Sequence, residues 1–530
     1  MERGKTATST LSPGLILAVI SFGVFIAADD LTVVSTMLRQ IIFDLEIPLP
    51  EGLDDAAWIV NAYLIAYVVV MPFVGRLSDI MGRRRVYVAA LAIFLAGSIW
   101  VPLATTLPSF IGGRVLTALG GGAMVPVGMA IIGDVYQPAK RPSALGALGA
   151  IDTAGWVWGP LYGALLIRFL SWRWQFYVNI PLSLIAIALA WWALANLPRT
   201  RHAARIDWLG TALLSAGLLS LSLALLGSSD IQSVGALSEL SGQQNVPAGP
   251  LYAAAALALT LFVYWERRLA LRSGAGTSRS STPAVQPLLD PELFRRTNFS
   301  QATSVNFLVG AVLIIAMVNV PLLINVLVGD PKQAALTSGL LLSAMTAAMA
   351  VSAYIGGRLT EKWSYRPVTL AGIALTGVAF ALMGLTWSPD SDFVQMAPQL
   401  IILGTGFGLV IAPIGAAVIN AAPADQLGIA SSLVIVVRLI GMSVGLSALT
   451  AWGLYRFDIL RAEVTLPPID DPTFQSALVD SLTNTTVAVL AETFLISALI
   501  AVAALLVAVR LRPDRTAIDA LDKDAPTFSD

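Results

Sequence analysis

Long apolar runs separated by short polar breaks dominate the chain from residue 13 to residue 510. A helix needs about 20 apolar residues to cross the core of a bilayer. On that criterion the pattern predicts fourteen spans, near 13–38, 56–75, 86–105, 109–134, 143–168, 174–196, 207–227, 249–269, 298–328, 335–357, 367–388, 397–420, 428–457 and 486–510. The runs at 298–328 and 428–457 are long enough to project from the membrane. The first run is too long for a cleavable leader and lacks a small-residue cleavage site, so it reads as a span. The expected fold class is an all-α, multi-pass membrane protein.

The polar breaks carry the sidedness. With the N-terminus placed in the cytoplasm, cytoplasmic segments hold 24 of the 32 Lys and Arg. Outer loops hold six (Arg39, Arg168, Arg173, Lys332, Arg456 and Arg461), and Arg114 and Arg438 fall within spans. Basic residues accumulate on the cytoplasmic side, so this bias predicts cytoplasmic termini and a plasma-membrane location. The densest break, Gly75-Arg76-Leu77-Ser78-Asp79-Ile80-Met81-Gly82-Arg83-Arg84-Arg85, predicts a tight, solvent-exposed turn with Asp79 within reach of arginines. A degraded echo, Gly356-Gly357-Arg358-Leu359-Thr360-Glu361-Lys362-Trp363-Ser364-Tyr365-Arg366, follows the second span of the second half. This repeat divides the chain into a six-helix bundle at 1–205, an inserted helix pair and cytoplasmic linker at 206–297, and a second six-helix bundle with its tail at 298–530. The inserted pair shows no buried charge beyond Glu266. The linker at 271–297 is rich in Gly, Ser and Pro and reads as flexible, and the tail after Arg512 reads as disordered.

Composition narrows the function. The chain is 56% hydrophobic and 12% charged, whereas soluble domains have about 25% charged residues. A net charge of −1 gives no sign of a nucleic-acid partner. With no cysteine and one histidine, His202, among loop arginines, thiol nucleophiles, His-based metal sites and imidazole relays are not available. Neither a nucleophile–base pair nor a metal-binding motif is evident, so an enzyme is not expected and no catalytic or metal residue is assigned.

Charges within spans are expensive and mark cavities or partners. Asp30, Arg114, Asp152 and Arg438 qualify, with Glu492 near the outer end of its helix. Asp29 points about 100° away from Asp30 around the helix; Gly23, Ala27 and Asp30 share the smaller face, which favours Asp30 as the inward residue. Gly155, Gly159 and Gly163 recur every four residues and let a neighbouring helix approach; Asp152 lies on the same stripe and should face protein or a cavity. A buried carboxylate holds a proton more readily, and a neighbouring guanidinium less so. An acid that alternates between two such settings can therefore carry a proton across. A fixed buried ion pair is the structural alternative. Trp58, Asn61, Tyr63, Trp156, Trp158, Asn306, Asn319 and Asn325 are candidates to line a cavity, although Trp and Tyr also anchor helices at the interface. A mostly apolar cavity suits membrane lipid or lipophilic small molecules better than a sugar.

The break at Gly75, Asp79, Gly82, Arg83 and Arg84 resembles the loop signature of the major facilitator superfamily. Gly155, Gly159, Pro160 and Gly163 resemble the motif of its proton-exchanging exporters. Asp30-Leu31-Thr32-Val33-Val34 and Trp58-Ile59-Val60-Asn61-Ala62-Tyr63-Leu64 are similar to the first and second helices of its fourteen-helix drug:proton antiporter branch. Arg114 stands at the basic position of the fourth-helix motif, where Thr117 and Ala118 replace the usual Gln and Gly. Gly428-Ile429-Ala430-Ser431, Arg438, Gly441-Met442 and Ala451-Trp452-Gly453-Leu454-Tyr455-Arg456-Phe457 resemble the mycobacterial triacylglyceride exporters of that branch. Their helix-5 acid falls on Thr153 here, one place after Asp152. The resemblance implies a major facilitator fold that moves a lipophilic substrate (neutral lipid or cationic drug) against protons, without a cofactor. It also implies Asp30 and Arg438 as functional partners, Asp79 and Arg83 as a gate, and an outer-side lipid-carrying lipoprotein as a partner.

Overall fold

The computed structural model describes residues 11–47, 53–195, 197, 207–228, 248–274, 287–289, 291–328, 331–464, 467–468 and 471–512. His202, residues 229–247, about half of the linker (275–286 and 290) and the tail lie outside them. Fourteen long α-helices form the described chain, and no strand occurs among the described residues. They are α1 (Pro13–Asp44), α2 (Leu53–Met81), α3 (Arg83–Trp100), α4 (Leu107–Val135), α5 (Arg141–Phe169), α6 (Arg173–Ala193) and α7 (Trp208–Ser228). Then come α8 (Ala248–Gly274), α9 (Thr297–Leu327), α10 (Pro331–Trp363), α11 (Tyr365–Thr386), α12 (Phe393–Ala421), α13 (Leu427–Ala462) and α14 (Phe474–Ala508). Among the described residues eleven of them are long and apolar enough to cross a membrane, the described apolar stretch of α7 is Trp208–Ala224, and α5 and α8 fall short on that measure. In α5 the shortfall follows from the residues that carry its chemistry, since glycines and Asp152 interrupt the apolar run.

Packing repeats along the chain. α1 packs on α4 and α5, α2 on α4, and α3 on α4 and α6. Eight helices later, α9 packs on α12 and α13, α10 on α12, and α11 on α12 and α14. The echo in sequence thus becomes an echo in helix pairing. The two sets meet along α5–α10, α5–α12, α2–α13 and α4–α13. Bare backbone makes the closest approaches. A Cβ on Gly75 would strike Ser432 and the Gly428 carbonyl, and one on Gly146 would lie 2.6 Å from the Ala353 carbonyl and 3.1 Å from the Gly357 Cα.

The charged break at 75–85 departs from expectation. It is not a solvent-exposed loop: α2 runs to Met81, α3 begins at Arg83, and Gly82 alone breaks the helix, with φ +94°. Only a residue without a Cβ adopts that conformation freely. Arg76, Asp79 and Arg83 are each no more than 4% exposed, because Arg76 and Asp79 turn onto the second helix set and Arg83 onto Asp79, Asp134 and Ser78 rather than into water. The echo has the same construction, with Ser364 (φ +73°) as the single break between α10 and α11.

The inserted pair packs α7 on α8, and α7 also touches α2 and α13. It carries a second buried carboxylate beside Glu266. Asp207 accepts from the Gly210 amide (2.9 Å) and the Trp265 indole (2.9 Å), and Glu266 accepts from the Leu289 amide (3.3 Å). The pair therefore holds buried charge beyond Glu266, where its sequence had suggested none. Asp207 precedes the apolar run and reads as a flanking residue until α8 folds back over it.

Candidate site: a sealed ion pair, a central cavity and an inner lock

Three polar assemblies emerge from the predicted residues. The first lies within the first helix set. Arg114 on α4 donates through Nη1 to Asp30 Oδ2 on α1 (2.6 Å) and through Nη2 to the Asp30 carbonyl (3.2 Å). Asn179 on α6 donates to the other carboxylate oxygen (3.4 Å). The guanidinium sits 4.1 Å from the Tyr63 ring centroid and 5.8 Å from that of Phe176. Asp30 and Arg114 are 0% and 1% exposed. Such a pair is held by its hydrogen bonds and its aromatic faces, since desolvation alone opposes it.

The second assembly is a cavity of about 40 Å³ between the two sets, lined by Met129, Gly149, Asp152, Asn306, Ile411 and Arg438 among others. Asp152 and Arg438 face this space from opposite sets, and no direct ion pair joins them among the described residues. Asn306 on α9 donates to the Val434 carbonyl on α13. Gly441 and Gly445 bring α13 against the α9 carbonyls of Phe307 and Ala311, which sets Arg438 at the cavity wall. The volume holds about one water, far below what a lipid or a drug needs.

The third assembly closes the end of the two sets at which the basic break 75–85 lies. Asp79 pairs with Arg83 (2.5 Å) and accepts from the amides of Gly428 (2.9 Å) and Ile429 (3.3 Å), the free N–H groups that begin α13. Arg83 also donates to Asp134 (2.9 Å) and Ser78 (2.6 Å). Arg76 donates to the Asp425 carbonyl (3.1 Å). On the opposite seam Arg141 donates to Asn420 (2.7 Å) and to the Gly133 carbonyl (2.5 Å), while Asn420 donates across to the Pro138 carbonyl (3.3 Å) and, within the second set, to the Tyr365 hydroxyl.

The candidate residues therefore do not surround one cavity. Asp30, Arg114 and Tyr63 are sealed inside the first set, whereas Asp152, Arg438 and Asn306 line the central space. Asp29 is buried too, and accepts from Gln175 on α6 (2.8 Å). Gly155, Gly159 and Gly163 turn to α1: a Cβ on Gly155 would lie 2.7 Å from that of Ala28. Pro160 lies in the same helix, its side chain outside the described residues. Trp156 receives a hydrogen bond from Thr32 at its carbonyl (3.3 Å), and its indole N–H is buried without an acceptor. Asn61 is half-buried in α2 and Trp58 is 37% exposed near the start of that helix. Arg84 stacks on Trp191 (4.1 Å), away from the lock. Glu492 is not in the cavity; from the middle of α14 it forms a half-exposed pair with Arg456 on α13 (2.9 Å).

The Major Facilitator Superfamily model matches residues 20–446. The chain belongs to the major facilitator superfamily. A triacylglyceride transporter of Mycolicibacterium hassiacum is 34% identical over 471 residues, covering 86% of this chain and 83% of the relative. A triacylglyceride transporter of Mycobacterium tuberculosis is 32% identical over 468 residues, covering 84% of each. Among solved structures, the human organic anion transporter MFSD10 superposes with a TM-score of 0.58 at 13% identity, covering 92% of this chain and 100% of the other. The proton:xylose symporter XylE superposes with a TM-score of 0.56 at 13% identity, covering 93% and 94%. At that identity the structural likeness fixes the fold alone. Family and fold are those of major facilitator transporters rather than enzymes.

Within this superfamily transporter, sequence reading passed over Gln175 and Asn179, which hold the two acids of α1. With Ser183 they form an i, i+4, i+8 polar stripe on α6, each no more than 2% exposed. Polar residues at that spacing in an apolar helix are a readable sign of a buried face. The Gly428 and Ile429 amides left no such sign, because backbone donors have no letter in the sequence.

Proposed function

We propose that the protein exports a lipophilic substrate, with neutral lipid such as triacylglyceride as the main cargo, by alternating access driven by the proton gradient. The observation that carries this reading is the opposition of Asp152 and Arg438 across a small apolar cavity beneath an intact inner lock. Breaking the lock would part the two sets, taken as bundles 1–205 and 298–530, and enlarge the cavity towards the cytoplasm. An acid's hold on its proton rises with burial and falls beside a guanidinium. Motion that brings Arg438 towards or away from Asp152 would thus load and unload a proton, while Asp30–Arg114 forms a second pair that one proton would loosen. No bound cofactor is required. The lipid assignment draws on relatives named triacylglyceride transporters and on the apolar lining. On this reading the protein lies in the plasma membrane with both termini in the cytoplasm. A lipid-carrying lipoprotein would receive the cargo outside, where α13 and α14 extend. Those helices have 36 and 35 residues, or about 54 and 52 Å of helix against a hydrocarbon core of roughly 30 Å.

The test is flux in proteoliposomes under an imposed pH gradient, with fluorescent triacylglycerol in one set and a lipophilic cation in another. Lipid movement that reverses with the gradient and is lost in Asp152→Asn supports the reading. Cation movement without lipid movement would make the protein a multidrug:proton antiporter instead. Lipid movement indifferent to the gradient would remove proton coupling.

A further inference from the structure

A second cavity, of about 200 Å³, lies between α1, α5 and α6, outside the central path. Phe25, Ile26 and Asp29 form its α1 side, Trp158 and Tyr162 its α5 side, and Asn179 stands on its α6 wall. Six residues separate Asp152 from Trp158, which sets them about 120° apart around α5. The two cavities therefore occupy different faces of that helix. Trp158 is 46% exposed, and α5 and α6 expose Leu165, Leu184 and Ile185 on their outer surfaces, so the mouth opens on the lipid-facing side.

Asp29 is the unusual group here. It is 6% exposed, and one carboxylate oxygen accepts from Gln175 while the other, Oδ1, is buried with no hydrogen-bond partner. Its neighbour Asp30 takes the only guanidinium nearby, so Asp29 has no basic partner among the described residues. A buried carboxylate in that position lacks both a donor and a countercharge. Opposite it, the Trp158 and Tyr162 rings stack with centroids 6.1 Å apart at 17°. An aromatic wall facing a lone buried acid favours a cation.

We propose that this pocket is a lipid-side binding site for the quaternary or tertiary ammonium head of an amphiphile, separate from the cavity of Asp152 and Arg438. The Asp29 carboxylate supplies the countercharge and the Trp158 and Tyr162 rings supply the cation–π face. The volume equals that of about seven waters at roughly 30 Å³ each. It is below the ~300 Å³ at which sites for whole drug-sized ligands begin. A compact head fits, and its tail remains in the bilayer beside Trp158. The site goes beyond the proposed lipid export and does not depend on it.

The test is calorimetric titration of the full chain in nanodiscs with phenyltrimethylammonium and with its neutral isostere tert-butylbenzene. The expected result is saturable binding of the cation at least tenfold tighter than that of the isostere. Asp29→Asn should weaken cation binding at least tenfold, and Trp158→Leu several-fold. Trp158→Phe should retain most of it, and Asp152→Asn should leave it unchanged. Should Asp29→Asn fail to fold, the Trp158 pair of variants decides alone. Equal affinity for the two probes, undetectable cation binding, or loss in Asp152→Asn with retention in Trp158→Leu would each overturn the proposal.

Discussion

Replacement of Asp79 by Asn should release the inner ends of the two helix sets without unfolding either. The carboxylate holds one end of α13 through amides at 2.9 and 3.3 Å and is itself held by Arg83 at 2.5 Å. An asparagine keeps the shape and can accept one of those amides, but it loses the charge that strengthens both bonds. Hydrogen bonds to a charged group contribute about 1.5–3 kcal/mol, and the contact exists only while the sets are together. At about 1.4 kcal/mol per tenfold, the closed-to-parted ratio should fall roughly 10- to 140-fold. Arg83 keeps Asp134 and Ser78, so it is not left bare, and the first set should stay folded. The chain contains no cysteine, which makes paired spin labels simple to introduce. Labels at Lys140→Cys, in the α4–α5 turn, and Ala424→Cys, in the α12–α13 turn, report the inner separation by double electron–electron resonance. A longer-distance population should appear in Asp79→Asn and be absent from its parent. An unchanged distribution in a well-folded Asp79→Asn protein would refute the clamp.

Asp30→Asn should lower the thermal unfolding midpoint strongly, because it leaves Arg114 buried without a countercharge, a loss of about 3–5 kcal/mol. Combining it with Arg114→Met should recover much of that, as read by detergent-resistant size-exclusion profiles after heating. Gly155→Val should force α1 from α5, since even its Cβ would lie 2.7 Å from that of Ala28; overpacking of this kind costs about 1–3 kcal/mol, and lower yield of folded protein would register it. Asn420→Ala should add to the separation seen in Asp79→Asn, because it removes the Arg141 and Pro138 bonds of the other seam. Glu492→Gln should leave flux and stability nearly unchanged, within about 1 kcal/mol, because its pair with Arg456 is 32% exposed on both sides; a large loss of flux would return Glu492 to the transport path.

The helices were legible because apolar length is a local property: each long run became one helix, including α13 and α14 beyond the membrane thickness. The repeat was legible too, since Gly82 and Ser364 mark equivalent breaks. What the sequence concealed is direction. Asp79 and Arg83 look like solvated loop charges among other charges, and only the arrival of α13 turns them inward. Asp29 and Asp30 differ by one position, so helical periodicity separated their faces but not their burial. Both found partners on α6, and those partners are neutral amides that carry no charge signal. Glu492 seemed an interior acid because its apolar neighbours do not reveal Arg456, which is 36 residues away in sequence.

The glycines along the two seams have a mechanical consequence. At Gly75 and Gly428, and at Gly146 and Gly357, the sets meet backbone to backbone, so their closest surfaces are smooth there rather than cogged. Smooth surfaces can slide or part without forcing side chains through new rotamers, so shape contributes little resistance to movement at these points. The resistance is instead chemical, concentrated in a few charged and amide bonds at the inner rim. In the proposed cycle, a joint built in this way would be tripped by a single proton or a single displaced partner, and would return to the same seat because its bearing surfaces need no rearrangement.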